Sequence, residues 1–281
     1  MSLERIEYRG HVILVESDDD PLNPRTDYDN AGEMICWHDR YTLGDKEAKV
    51  KDMDEALARI GGNFEGWDEF LERLEAKAEA MSDDIWSKSG RERAEAIREY
   101  DEFVNGAKQE WLEKRAIILP LYLYDHSGVT MNTTGFSCGW DSGMVGLVWI
   151  SRKDAVKEWG KVRCTAKVVK RAEDCLKCEV ETYDQYIRGD VYGYKVLGPL
   201  PEGVEDNGED SDDERDETDS CWGYFGEYGY KYGSQDSDMI QEAKGAVDFD
   251  LDRKPQLEEE RQAKALLNAM LPDIEPEAVM V

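Results

Sequence analysis

Apolar residues come in two rhythms along this chain, and the change of rhythm marks its elements. His11 to Val15 (HVILV) is a short, β-branched run of the kind that forms a buried strand. The polar stretch from Ser17 to Lys46 follows, with two prolines, several Asp and Asn, and an apolar island at Met34, Ile35, Cys36 and Trp37. A loop of that length implies a task or a partner surface. From Lys51 the spacing becomes helical: Met53, Leu57 and Ile60 share one face, then Trp67, Phe70, Leu71, Leu74, Ala78 and Met81 recur at three and four. A third helix begins at Ser89, which forms a capping-box pattern with Glu92, and continues through Ile97, Tyr100, Val104 and Trp111.

Beyond the helices the strand rhythm returns. Ala116 to Tyr124 (AIILPLYLY) and Met144 to Ile150 (MVGLVWI) predict strands on either side of a Gly, Ser and Thr-rich loop. Ser151 and Asp154 form a second capping-box pattern, opening a short helix that ends at Gly160, and a longer helix is expected from Lys167 to about Tyr183. Val191 to Leu197 and Ser220 to Phe225 read as strands. Pro255 fits the first turn of a last helix with Leu257, Leu266, Leu267, Met270 and Leu271 as its stripe.

These elements predict an α+β chain on a central, mainly antiparallel sheet. Residues 1–50 and 115–233 make its core, 51–114 a helical insertion, 202–219 a disordered acidic hairpin tip, and 234–281 a helical C-terminal segment.

Charge changes what such a fold is expected to meet. Lys and Arg number 35 against 64 Asp and Glu, a formal charge of -29, which repels nucleic acid and acidic membrane surfaces. Glu202 to Asp219 contributes eleven carboxylates and one arginine, or -10, so the remaining -19 belongs to the folded body. No run approaches the roughly 20 apolar residues of a membrane helix, and the start, MSLERIEYRG, lacks a signal peptide's apolar core. The expected setting is cytoplasmic, with the six cysteines reduced.

Two polar clusters could carry chemistry. In the loop from Leu121 to Gly146, Asp125, His126, Cys138, Asp141 and Ser142 lie close together. Thiol, imidazole and carboxylate are the parts of a cysteine nucleophile, its base and its orienting acid. Cys138 with His126 or His38, and Asp141 or Asp125 behind, is the catalytic candidate, although loop residues of these types also satisfy backbone amides. The second cluster holds Asp27, Asp29, Cys36, His38, Asp39 and Asp45. Its spacing matches no standard metal site, and His38 is expected to pack between Trp37 and Tyr41. The CxxC of Cys175 and Cys178 has no second pair and falls within a helix. With no dinucleotide, P-loop or zincin motif, the expected reading includes no metal and no cofactor.

Trp222, Tyr224, Tyr228, Tyr230 and Tyr232 occupy even positions, which would place them on one face of an extended chain, as a sheet's core face or as a partner's hot spot. Together with Asp210, Asp212, Asp213 and Glu214 of the acidic run they are the partner-binding candidates.

The segments Asp29 to Asp45 (DNAGEMICWHDRYTLGD) and Leu121 to Gly146 (LYLYDHSGVTMNTTGFSCGWDSGMVG), with EVETYDQYIRGDVYGY and DSCWGYFG further on, resemble a family of bacteriophage and integrative-element proteins. That family shares DNxGxMxCxHxRYxLGD-like and LYLYDHSGxTM…FSCxWDSGxVG-like segments; where relatives have FSCPWDSG, this chain has Gly139 in place of the proline. The family carries no assigned reaction. The resemblance implies a mobile-element context, where small accessory proteins often block host defences. Together with the acidity and the absence of an enzyme motif it leads to the expectation of an inhibitor of a host defence system (restriction, CRISPR or Gabija) that binds a host protein or defence complex, with self-association as a further partner expectation. Its carboxylates would mimic nucleic-acid phosphates, and nucleic acid itself would not be bound. The competing expectation is a cysteine- or metal-dependent hydrolase or transferase built from the 125–142 and 27–45 loops.

Overall fold

A computed structural model of the chain describes residues 3–45, 50–226 and 237–270. The strands are β1 (Glu4–Tyr8), β2 (His11–Ser17), β3 (Glu33–Cys36), β4 (Ala116–Asp125), β5 (Val129–Asn132), β6 (Ser142–Ser151), β7 (Val191–Leu197) and β8 (Glu217–Phe225). The helices are α1 (Met53–Gly61), α2 (Trp67–Ser87), α3 (Gly90–Glu113), α4 (Arg152–Glu158), α5 (Ala166–Arg188) and α6 (Asp238–Met270). The chain is α+β and its sheets are antiparallel.

The single central sheet expected from the strand runs is instead two four-stranded sheets, ordered β1-β2-β7-β8 and β3-β6-β4-β5. They belong to two compact units, Met1–Pro21 with Gly189–Val281, and Leu22–Arg188. The boundaries therefore differ from a core at 1–50 and 115–233. HVILV of β2 pairs with VYGYKVL of β7, far along the chain, and never with the two strands beside the Gly-rich loop. Apolar runs of similar composition carry no label saying which will pair.

In the unit spanning 22–188, the sheet is covered on both faces, which explains why β6 is apolar at nearly every position. Val148 and Ile150 pack with Leu176, Val180 and Tyr183 of α5. Leu147 and Trp149 pack with Leu57 and Ile60 of α1, Trp67 of α2 and Leu112 of α3. Burying each such side chain is worth about 1.5–3 kcal/mol before the entropy of ordering it. Val145 is the extra residue where Leu121 pairs with Gly146 but Tyr122 with Met144, and this bulge turns Val145 towards the α5 side although Leu147, two residues on, faces the other. The island at Met34 to Trp37, expected in a loop, largely forms β3, because Met34 and Ile35 fill cores on opposite faces of the sheet.

The three helices expected between 51 and 114 form, and Asp52 caps α1 by accepting from the Glu55 amide at 2.9 Å. Ser89 stands at the N-cap of α3, but its hydroxyl makes no capping bond. Ser151 does cap α4, accepting from the Asp154 amide at 2.9 Å.

In the other unit, α6 lies on the β1-β2-β7-β8 sheet through Met239, Ile240, Ala243 and Val247. Those residues start the helix well before Pro255, which therefore sits inside it rather than in its first turn. Pro255 costs one backbone hydrogen bond, on an exposed stretch. No described helix is long and apolar enough to cross a membrane.

The acidic run is the largest correction within this unit. The strands it joins do form the β7-β8 hairpin, but residues 208–214 are a 3-10 turn and not a disordered tip. Asp212 is buried and takes a two-pronged pair from Arg5, Nε to Oδ2 at 2.8 Å and Nη2 to Oδ1 at 3.0 Å. Arg215 binds the Gly198 carbonyl at 2.9 Å and reaches both Asp206 (3.1 Å) and Asp212 (3.3 Å). Asp206 accepts from the Gly208 amide and the Ser211 hydroxyl, and chiefly that amide holds its carboxyl below the usual range. Two guanidiniums suffice to order a run of eleven carboxylates.

Candidate functional site

Both polar clusters meet at one end of the β3-β6-β4-β5 sheet. β4 ends at Asp125, and a tight turn with the His126 amide bonded to the Gly128 carbonyl (3.1 Å) starts β5. Ser127 sits there at a positive φ of 59°, one of two non-glycine residues so placed among those described. After β5 the chain loops back to β6. Asn132 fixes that loop by accepting from the amides of Thr134 (3.0 Å) and Gly135 (2.7 Å), as short polar side chains do at turns. The Asp125 amide donates to the Asp141 carbonyl at 2.8 Å, and the Ser142 hydroxyl donates to the Cys138 carbonyl. On the far side, Asp184 of α5 accepts from the Thr130 hydroxyl (2.7 Å) and the Met131 amide (2.6 Å).

The 37–45 segment closes on this loop from the neighbouring edge. Arg40 pairs with Asp125, and the Tyr41 hydroxyl donates to the other Asp125 oxygen at 3.4 Å. His38 holds the turn: its Nδ1 accepts from the amides of Arg40 (3.2 Å) and Tyr41 (3.1 Å). It stacks on Tyr41 at 5.0 Å between ring centroids. A structural role for His38 beside Tyr41 is what the sequence suggested.

Behind the turn, Arg25 is buried and its guanidinium is fully engaged. It donates to Asp45 (2.8 and 3.2 Å), Asn30 (2.8 Å), Glu179 (3.1 Å) and the Gly32 carbonyl (2.7 Å). Asp45 and Glu179 in turn take the amides of Met34 (3.0 Å) and Ala31 (2.7 Å). This network anchors the long polar segment to α5, and it explains why a stretch without regular structure keeps one shape. Cys36 lies in the adjoining core, where burial, then the charge of Asp45, push its thiol up to about 12. It is packing, not a ligand.

Of the catalytic candidates, His126, Cys138 and Asp141 come together. Their order is the finding. Asp141 Oδ2 lies 3.4 Å from His126 Nδ1 and accepts from the Cys138 thiol at 3.9 Å. A thiol nucleophile needs its base facing the sulfur; here a carboxylate faces it, and the imidazole faces the same carboxylate oxygen. The His126 side chain is 63% exposed, so nothing excludes water from it. Next to these groups Trp140 is 97% exposed, on a loop held by the bonds above.

The metal alternative is not assembled: Asp27 is occupied by the Asn23 amide and the Thr26 hydroxyl (both 2.9 Å). Among the described residues no three His, Cys, Asp or Glu side chains gather to hold an ion. Cys175 and Cys178 lie on α5, and Cys175 donates to Glu179 at 3.8 Å.

The partner-binding candidates divide. Trp222 and Tyr224 do not share a face, because Gly193 pairs with Trp222 while Tyr192 pairs with Tyr224, leaving Gly223 as a bulge at φ 89°. Tyr224 packs on the α6 side of the sheet, where burial and then the Cys221 thiol and Glu242 push its phenol up. Trp222 lies 40% exposed, covering Gly193 and 5.6 Å from the Lys195 ammonium. Tyr228, Tyr230 and Tyr232 fall outside the described residues. Asp210, Asp213 and Glu214 are exposed; Asp212, tied to Arg5, is withdrawn from any surface role.

No family model, curated protein or solved structure matches the chain.

Arg40, Tyr41 and Trp140 are the residues that sequence reasoning passed over. Trp140 carried a signal, since a tryptophan amid Gly, Ser and Asp has no apolar neighbours to pack with. Arg40 carried none.

Proposed function

We propose that this chain is a binding protein of a phage or mobile element that inhibits a host defence complex by protein-protein contact. The 125–142 loop is its contact platform, and Trp140 carries the proposal. A fully exposed tryptophan on a loop braced by side-chain and backbone bonds offers large apolar area at little ordering cost, which is what a hot-spot residue supplies. The exposed carboxylates Asp210, Asp213 and Glu214 give a second, charged contact. They lie in a 3-10 turn, and their charge is of the sign that phosphate mimicry requires.

The test is capture of the partner from host cells carrying defence systems, with wild type and three variants. Trp140→Ala weakens capture and inhibition by about thirtyfold or more, the loss typical of a hot spot. Cys138→Ser and His126→Ala, which keep Trp140, cost both far less than that. Inhibition lost in Cys138→Ser with the partner still captured would replace this reading with the cysteine-dependent one, which rests on the proximity of Cys138, Asp141 and His126.

A further inference from the structure

The chain-wide charge argues against nucleic acid as a ligand, but that charge is an average, and one region departs from it. Residues 152–171 (RKDAVKEWGKVRCTAKVVKR) hold eight Lys or Arg and two carboxylates, a local charge of +6 in a protein of -29. They form α4, the loop after it and the first turns of α5, all within the unit spanning 22–188.

Away from this run the cations divide: Lys77, Arg91 and Lys177 pair with no carboxylate among the described residues, while others find one. Arg5, Arg9, Arg25, Arg59, Lys108 and Lys195 each do. Within the basic run Lys170 pairs with Asp174, Arg171 lies over Trp159, and Arg152 donates to the Glu113 carbonyl. The other five, Lys153, Lys157, Lys161, Arg163 and Lys167, are exposed and, among the described residues, pair with no carboxylate. Lys153 and Lys157 are one helical turn apart on α4; Lys161 and Arg163 flank Val162, itself 93% exposed, in the loop. Lys167 stands in the first turn of α5.

That last placement is electrostatically unfavourable without an anion. A helix N-terminus carries partial positive charge, and every other helix among the described residues has an acidic residue in its first turn. α5 has none. Unpaired ammonium and guanidinium groups thus add to exposed amides at the start of a 23-residue helix.

We infer that residues 152–171 form a binding surface for the phosphate backbone of single-stranded nucleic acid, read without regard to sequence. The ligand's shape selects it among polyanions. A membrane surface or an acidic globular partner would bring a broad negative face against a body that carries -35 outside this run. A thin strand needs only the width of the run itself, and charges farther off than about 8 Å are largely screened at physiological ionic strength. The inference goes beyond the protein-protein reading of the 125–142 loop and does not depend on it.

Fluorescence anisotropy of a short, labelled, mixed-sequence single strand tests it on the full chain at low salt. Saturable binding is expected, with a log-log salt slope of about -3.5 if all five unpaired cations meet phosphates at about -0.7 each. The triple variant Lys161→Glu, Arg163→Glu, Lys167→Glu, checked for folding by circular dichroism, loses at least about tenfold in affinity. Should it not fold, Lys161→Glu alone, in the exposed loop, shows a smaller loss in the same direction. Lys77→Glu, which changes the net charge as much as Lys161→Glu alone but lies on α2, changes affinity by less than about twofold. The inference is overturned by no binding at low salt, by an equal loss in Lys77→Glu, or by polyglutamate or anionic phospholipid vesicles binding where the oligonucleotide does not.

Discussion

The acidic turn between β7 and β8 and the basic run through α4 and α5 are opposite in charge and opposite in how that charge is used. Residues 202–219 have one arginine of their own and bring in Arg5 from β1, and around these two cations the turn folds, with Asp212 buried. Residues 152–171 sit in a protein with carboxylates to spare, yet five of their cations take none. Abundance of the opposite charge therefore does not decide pairing. An acidic run folds here because its few cations are placed to make several bonds each, whereas five cations of the basic run stay unpaired although Asp154 and Glu158 stand in the same run.

The sharpest way to break this contrast is to remove the cation that orders the acidic turn. Arg5→Ala leaves Asp212 buried with only Arg215 beside it and is expected to cost about 3 kcal/mol, in the range for stripping one partner from a buried pair. Urea unfolding measures it; a loss below about 1 kcal/mol would mean the turn is held by its backbone alone.

Acid titration probes the same unit with a smaller effect. Asp206 is held low chiefly by the Gly208 amide and Asp248 chiefly by Arg9. A carboxyl lowered in the folded state favours folding above its unfolded value of about 4, and that contribution is lost as pH falls through the lowered folded value. Melting temperature is thus expected to fall on acidification below about pH 4, and less steeply in Asp206→Asn and Asp248→Asn. Melts of unchanged steepness in both variants would remove these groups from the account.

The smallest effect is predicted for the basic run. Reversing Lys161 or Arg163 breaks no pair and is expected to shift stability by within about 0.5 kcal/mol, in contrast with Arg5→Ala, even though nucleic-acid affinity falls. A loss of stability comparable with Arg5→Ala would show that the run has a structural task.

Much of the local structure was legible because its signals are local. Leu57 and Ile60, or Trp67, Phe70 and Leu74, repeat at helical spacing wherever the chain folds, and Ser151 caps α4 through a residue three positions away. The candidate site was half legible: His126, Cys138 and Asp141 are close in sequence and close in space. The approach of Arg40 and Tyr41 to Asp125 was not, since 85 residues separate Arg40 from its partner. The expectation that Trp222 and Tyr224 share a face failed for a different reason: one bulge at Gly223 turns them to opposite faces, and alternation counted along the sequence cannot register it.

By itself the sequence determined the α+β character, the helical insertion, the charge of -29 and the +6 run within it, all of which depend on neighbours a few residues apart or on composition. Only the tertiary structure decided that the strands form two sheets, that Arg5 meets Asp212 across 207 residues, and that Asp141 stands between the thiol and the imidazole. Strand partners and ion pairs are chosen by burial and geometry among many chemically equivalent alternatives, and that choice is made only when the whole chain packs.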